Sequence, residues 1–241
     1  KLMISYGKTD VGKVRSINQD NVFFSDESVG KLSNLYIVAD GMGGHKAGNF
    51  ASAYAVKSFL DKVKESKSNN PITIIKQSLY KVNQEILDLA NEHEEYQGMG
   101  TTFVVAIILK GKLYVANVGD SRLYIINDYI RQITLDHSLV EELIRTGQLE
   151  RRKGRYHPEK NIITRALGAS EDVVPDFFEV VLEEEDRILL CSDGLSNMVE
   201  DDELRDIVMD NPLPKESVEQ LIDRANFYGG KDNIGIVLAI Q

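Results

Sequence analysis

The sequence predicts an α+β fold in which antiparallel sheet is layered against paired helices, and three observations point there. Between Thr101 and Gln132, apolar β-branched runs are separated by turns of two or three residues, short enough only for antiparallel neighbours. Helical periodicity comes in pairs, once before that stretch and once near the end of the chain. The short central turns leave no room for the crossover helices of parallel βαβ units.

The elements follow in order. Val22 to Phe24 reads as a short strand, and Leu35 to Ala39 as a buried strand ending at Asp40-Gly41. Gly41, Gly43, Gly44 and Gly48 make Gly41 to Gly48 a loop. A helix follows with Val56, Phe59, Leu60 and Val63 on one face. Pro71 suits the first turn of a second helix, whose Ile72, Ile75, Leu79, Val82, Ile86 and Leu89 are spaced 3, 4, 3, 4 and 3, a stripe for packing on a sheet. Thr101 to Gln132 reads as a strand meander, turning at Lys110-Gly111, Gly119-Asp120-Ser121 and Asn127-Asp128. Ser138 and Glu141 have capping-box spacing and open a short helix ending near Gly147. Strands are expected around Phe177 to Leu182 and Arg187 to Ser192. Two acidic helices and a closing strand at Ile234 to Ile240 complete the chain.

Composition bounds the function. The 241 residues are 42% hydrophobic and 27% charged, an ordinary globular balance. No fixed-period repeat and no Pro- or Gly/Ser-rich linker interrupts them, so one domain over 1–241 is expected, large enough to bury roughly 70% of its unfolded surface. Lys and Arg number 28 against 38 Asp and Glu, a formal charge of -10 that repels nucleic acid and anionic membrane surfaces. The one cysteine, Cys191, sits in an apolar run and reads as a buried structural thiol. No positive-then-apolar signal pattern starts the chain, and no apolar run approaches the 18 or so residues of a membrane span. The expectation is a cytoplasmic protein.

The chemistry lies in the aspartates. Asp40, Asp120 and Asp193 each follow a strand, and Asp232 precedes one; each has glycine within two residues. Any one of them is an ordinary turn signal. Four together, with two leading into no hairpin, suggest carboxylates gathered at one sheet edge. Such a cluster stays ionised only beside a cation. Without a matching His or Cys set, the ion is a hard one, Mg²⁺ or Mn²⁺ rather than Zn²⁺. Glycine lets backbone approach closely, so the Gly41 carbonyl is a further ligand candidate. Two ions roughly 3.5–4 Å apart would lower the pKa of a shared water and hold it for in-line attack on phosphorus. Arg15 offers a guanidinium fork for the phosphate oxygens. The glycine-rich loop matches neither nucleotide-binding pattern, G-x-x-x-x-G-K-[ST] nor G-x-G-x-x-G.

Six motifs in order carry a resemblance over nearly the whole chain: Arg15-x-x-Asn18-Gln19-Asp20, Asp40-Gly41-Met42-Gly43-Gly44, Gly100-Thr101-Thr102, Gly119-Asp120-Ser121-Arg122, Ser192-Asp193-Gly194 and Gly229-Gly230-Lys231-Asp232-Asn233. The series resembles that of the protein phosphatase 2C (PPM) family of serine/threonine phosphatases, in its compact bacterial version. The resemblance implies a central sandwich of two antiparallel β-sheets flanked by helix pairs. It further implies hydrolysis of phosphoserine and phosphothreonine by a metal-bridging hydroxide, with no phosphoenzyme. Carried onto this chain, Asp40 bridges both metals, the Gly41 carbonyl binds the second, and Asp193 and Asp232 bind the first. Asp20 acts through bound waters, Asp120 helps hold a weaker third ion, and Arg15 binds the substrate phosphate. The implied counterpart is a serine/threonine kinase, and a monomer is expected.

Departures accompany it. Met42 stands where animal members carry a His proposed as general acid. His45 follows three residues later, and the source of the leaving-group proton stays open, a metal-bound water being one candidate. Gln19 replaces the family's Glu, and Gly235 stands where Thr is common. The segment at about 145–165 holds seven basic residues against Glu150 and Glu159 and corresponds to the bacterial flap beside the active site. There Arg151 and Arg152 are expected to steer phosphopeptides. Two other readings compete: a metal-dependent phosphohydrolase acting on nucleotides or other small molecules, and a metal-binding regulatory module without catalysis.

Overall fold

Nearly every long apolar run in this chain is buried on both faces, and that decides the architecture. The computed structural model describes residues 3–44 and 46–241; His45 lies outside the described residues. Among the described residues, eleven strands form two sheets, every pairing antiparallel. The five-stranded sheet runs β1 (Ile4–Asp10), β11 (Ile234–Ile240), β10 (Arg187–Cys191), β7 (Arg122–Ile126), β8 (Ile130–Gln132). The six-stranded sheet runs β2 (Asp20–Ser25), β3 (Leu35–Met42), β5 (Phe103–Leu109), β6 (Lys112–Val118), β9 (Asp176–Val181), with the two-residue β4 (Gly100–Thr101) on β3.

Side chains alternate along each strand and so divide the core into three layers. Tyr36, Val38, Val104, Ala106, Leu123, Ile188, Leu190 and Val237 fill the space between the sheets. Their neighbours Ile37, Ala39, Phe103 and Val105 face α1 (Ala47–Glu65) and α2 (Pro71–Glu92). On the opposite side Leu189, Cys191, Ile236 and Leu238 face α6 (Asp201–Asp210) and α7 (Pro214–Phe227). Helix pair, sheet, sheet, helix pair is the layered sandwich the family resemblance implies. Cys191 is fully buried, which pushes its thiol pKa up and suits a structural role.

Local signals held where they had a physical cause. Asn70 caps α2 by accepting the Thr73 N–H at 3.0 Å with Pro71 behind it, and Ser138 caps α3 (Leu139–Arg145) by accepting the Glu141 N–H at 3.2 Å. Three expectations are corrected. The glycine-rich loop is shorter than 41–48, because β3 continues through Met42 and α1 already includes Gly48. In α2, Ile72 is exposed while Ile74 is buried, since Ile72 lines a surface cleft beside Tyr114 and Phe177 rather than the core. The stretch 101–132 is not one meander: β6 and β7 lie in different sheets, and Gly119-Asp120-Ser121 crosses between them. Gly119 makes that crossing at φ +108, where any Cβ would meet Thr102.

Candidate active site

The sandwich brings acids together because strand parity puts them on its inner face. Asp40 shares a face with Tyr36 and Val38, and Asp20 with Val22, so both stand at the end of the layer between the sheets. They are direct register partners across β2 and β3, an arrangement that like charges oppose. The other sheet delivers Asp193 as the first residue of the short helix α5 (Asp193–Ser196), just after β10, and Asp232 just before β11. Asp120 comes from the crossing between the sheets.

A cavity of about 250 Å³ is lined by Arg15, Asp40, Gly41, Asp120, Asp193 and Asp232, with Thr102 and the flap residues Asn161 and Ile163 beside them. Six of the seven residues anticipated from the sequence therefore meet in one place. Asp20 is not part of that lining; it is buried behind. Arg15 reaches over the cavity and its Nη2 donates to Asp232 Oδ2 at 2.9 Å. Asn197 Nδ2 donates to Asp193 Oδ2 at 3.0 Å.

Burial, and then the neighbouring acids, hold Asp20, Asp40, Asp120 and Asp193 towards their protonated forms. The Asp20 pKa is pushed from its ordinary 3.8 to about 7, chiefly by burial, although the Ser192 hydroxyl works against the shift. Asp193 is pushed to about 6 by burial and by Asp232. Asp40 is raised well above the usual range by burial and by Asp20, and Asp120 by burial and by Asp193. Asp20 Oδ1 is buried with no hydrogen-bond partner. Among the described residues no three His, Cys, Asp or Glu side chains form a set ready to close on one ion. What stands is a crowd of mutually repelling oxygens with one unsatisfied acceptor. An all-oxygen donor set of this kind fits a hard divalent cation, whose charge would return the carboxyls to their ionised forms.

Several supporting residues carried no separate signal in the sequence. Thr102 Oγ1 accepts the Asp40 N–H at 2.9 Å and shares a 2.7 Å hydrogen bond with Ser121 Oγ. Asn233 clamps the loop that carries Arg15: its Oδ1 accepts the Gln19 N–H, and its Nδ2 donates to the Val11 and Ile17 carbonyls, each at 2.9 Å. His137 Nδ1 accepts the Gly119 N–H at 3.0 Å and Nε2 meets Asp176 at 2.9 Å, holding the crossing that presents Asp120. Thr102 and Asn233 lay inside the motifs, Asn233 beside Asp232 and Thr102 in the one motif without an assigned ligand. His137 lay in none.

The flap holds a surprise about its charges. Arg151 pairs with Glu141 through two hydrogen bonds, and Arg152 and Lys153 pair with Glu150. Arg155 bridges to Glu200 and to the Ser196 and Asn197 carbonyls, and Arg165 to Asp176. Lys160, by contrast, belongs to none of these pairs; it lines a larger cleft of about 450 Å³ that reaches Asp120 and Asp193.

A two-sheet sandwich with a carboxylate crowd at one end of its middle layer, and a guanidinium above it, is the architecture of a metal-dependent phosphohydrolase. More particularly, the chain belongs to the protein phosphatase 2C family, whose model matches residues 5–234. It is 42% identical over 238 residues to the serine/threonine phosphatase stp of Listeria welshimeri, covering 96% of this chain and 93% of that one. The structure of the serine/threonine phosphatase Stp1 from Staphylococcus aureus is similar at a TM-score of 0.93 and 33% identity, covering 100% of this chain and 96% of that one. The catalytic domain of the phosphatase PstP, in complex with two manganese ions, is similar at a TM-score of 0.87 and 29% identity, covering 99% of this chain and 97% of that one.

Proposed function

We propose that this chain is a metal-dependent protein serine/threonine phosphatase that hydrolyses phosphoserine and phosphothreonine without a phosphoenzyme. The observation that carries the reading is the meeting of Asp40, Asp120, Asp193, Asp232 and Arg15 around one cavity from five separate parts of the chain. The protein phosphatase 2C family model over residues 5–234, and a bacterial phosphatase relative that covers 96% of the chain, support it. The catalytic unit spans 1–241, and its flap is the segment at about 145–165.

Asp40, Asp193 and Asp232, with the Gly41 carbonyl, would hold two Mn²⁺ or Mg²⁺ ions. Asp20 supports them from behind through water, and Asp120 contributes to a weaker third position. Divalent ions held there would neutralise the carboxylates and would supply the water activation that hydrolysis near neutral pH needs. Arg15 orients the phosphoryl group and offsets charge that builds on its oxygens. The Asn233 clamp keeps the Arg15 loop in place, and Thr102 fixes the backbone of Asp40. Lys160 at the cleft edge meets the phosphoprotein beyond the phosphate.

The biological counterpart in this reading is a bacterial serine/threonine kinase, and the enzyme works as a monomer in the cytoplasm. Two features support that setting: a lone buried cysteine, and the absence among the described residues of any helix long and apolar enough to cross a membrane. The decisive experiment is phosphate release from a phosphothreonine peptide with Mn²⁺, with EDTA, and for Asp193→Ala. Release abolished by both EDTA and the substitution is expected. A folded sample that releases nothing with Mn²⁺ or Mg²⁺ sinks the reading.

A further inference from the structure

Ser192 directly follows β10, is fully buried, and ties the two sheets together beside the carboxylates. Its Oγ lies 2.6 Å from Asp20 Oδ2 and 2.8 Å from the Gly235 nitrogen. Its own N–H donates to the Gly235 carbonyl at 2.9 Å, so the backbone of β11 holds it on both sides. The direction of the hydroxyl follows from these partners. A backbone N–H can only donate, so the Gly235 contact occupies an oxygen lone pair and leaves the single O–H for Asp20. Gly235 itself has no side chain to offer; a Cβ there would already lie 3.2 Å from Asp20 Oδ2, in the space this contact uses. The result is asymmetric: Asp20 Oδ2 is held, while Oδ1 is buried and without a partner, beside Asp40 across the strand pair.

We propose that Ser192 is a positioning residue for the divalent-cation site: its hydroxyl pins Asp20 by one oxygen so that the other stays available to a cation or to a water on that cation. This rests on the metal-dependent reading above. A plain structural strut would matter to the metal-free fold alone. A positioning residue matters to cation affinity, because outer hydrogen bonds that orient a ligand group typically alter affinity by about 10- to 100-fold.

The test is Mn²⁺ binding by titration calorimetry, together with metal-free thermal melting, on the full chain and on Ser192→Ala, Asp20→Asn and the double variant. Ser192→Ala should bind Mn²⁺ about 10- to 100-fold more weakly. The double variant should bind no more weakly than Asp20→Asn alone, because the hydroxyl acts through that carboxyl. Should Ser192→Ala fail to fold, Ser192→Cys, whose thiol is a weaker donor, carries the same comparison and should also bind more weakly. Affinity equal to the parent's in a folded Ser192 variant, or losses that add in the double variant, overturns the proposal. A parent that binds no Mn²⁺ overturns the metal-site reading itself, and this inference falls with it.

Discussion

Arg15 and Asp232, 217 residues apart in sequence, are joined by a 2.9 Å hydrogen-bonded ion pair at the mouth of the cavity. Both side chains are partly exposed, so the pair contributes at most about 1 kcal/mol and gives way readily. The same carboxylate is a proposed cation ligand and the same guanidinium a proposed phosphate ligand. Arg15→Ala should therefore lower kcat/KM for a phosphothreonine peptide by about 10- to 100-fold, the worth of a charged hydrogen bond. Mn²⁺ affinity should tighten slightly, since a competing cation has gone. Steady-state kinetics and calorimetry measure both; a weakened Mn²⁺ affinity would assign Arg15 to the carboxylates rather than to the phosphate.

Stability should depend on pH in an unusual direction for an acidic protein. Asp20 and Asp193 have folded-state pKa values raised from 3.8 to about 7 and about 6, so between these limits the metal-free fold binds more protons than the unfolded chain. By linkage, the stability these groups contribute is fully present below pH 3.8 and is lost as pH rises through 6 and then 7. Metal-free melting temperature is expected to fall from pH 5 to pH 8, and the rise caused by Mn²⁺ to grow over the same interval. Asp20→Asn should flatten the metal-free slope. Melting curves in EDTA and in Mn²⁺ decide; a parent slope unchanged by Asp20→Asn would refute the assignment.

Charge reversal should separate the flap's cations. Lys160 is partly buried in the larger cleft, its pKa lowered by that burial and by Arg155, and it takes part in none of the flap's ion pairs. Lys160→Glu is expected to raise KM for a phosphopeptide on the order of tenfold, with a small effect on an aryl phosphate. Reversal at Arg152, whose partner is Glu150 on the exposed surface, should change little for either substrate. Equal effects of Lys160→Glu on both substrates would remove the steering role.

Two glycines should prove intolerant for steric reasons alone. A Cβ at Gly41 would lie 1.9 Å from the Gly48 carbonyl oxygen, and one at Gly194 1.8 Å from that of Asn233. Backbone must move in either case, at a cost of about 1–3 kcal/mol or more. At about 2–4 °C per kcal/mol for a chain of this size, Gly41→Ala and Gly194→Ala should each melt several degrees lower. Gly44→Ala, with nothing near its Cβ position, is the control and should melt with the parent.

The sequence made the elements and ligands legible more readily than the way the strands associate. Runs such as Phe103 to Leu109 and Ile234 to Ile240 are apolar on both faces, which marks burial between layers but does not say which sheet a strand joins. That is why the link at Gly119 read as a turn within one meander, when it carries the chain across the sandwich. Asp40, Asp120, Asp193 and Asp232 were visible because each has glycine within two residues at a strand end. The groups that hold them, Ser192, Thr102 and His137, have no such mark; their roles arise from partners 18 to 172 residues away. Flap charge was equally visible, but pairing with Glu141, Glu150 and Glu200 was not, so net basicity overstated how many cations face a substrate.

The acids of both sheets that line the cavity lie at one end of the sandwich. At the opposite end Ser25 pairs with Leu35 and Arg187 with Ile240, and the acids there, Asp26 and Asp186, are taken up by Tyr36 and Asn127. A cation held by both sheets would thus act as a rivet on one side of a two-leaved book. Amides near Asp20, Asp40 and Cys191 should gain protection from hydrogen exchange when Mn²⁺ is added, while those near Leu35 and Ile240 continue to exchange at their metal-free rates. The metal would make the spine of that book and leave the fore-edge free to open.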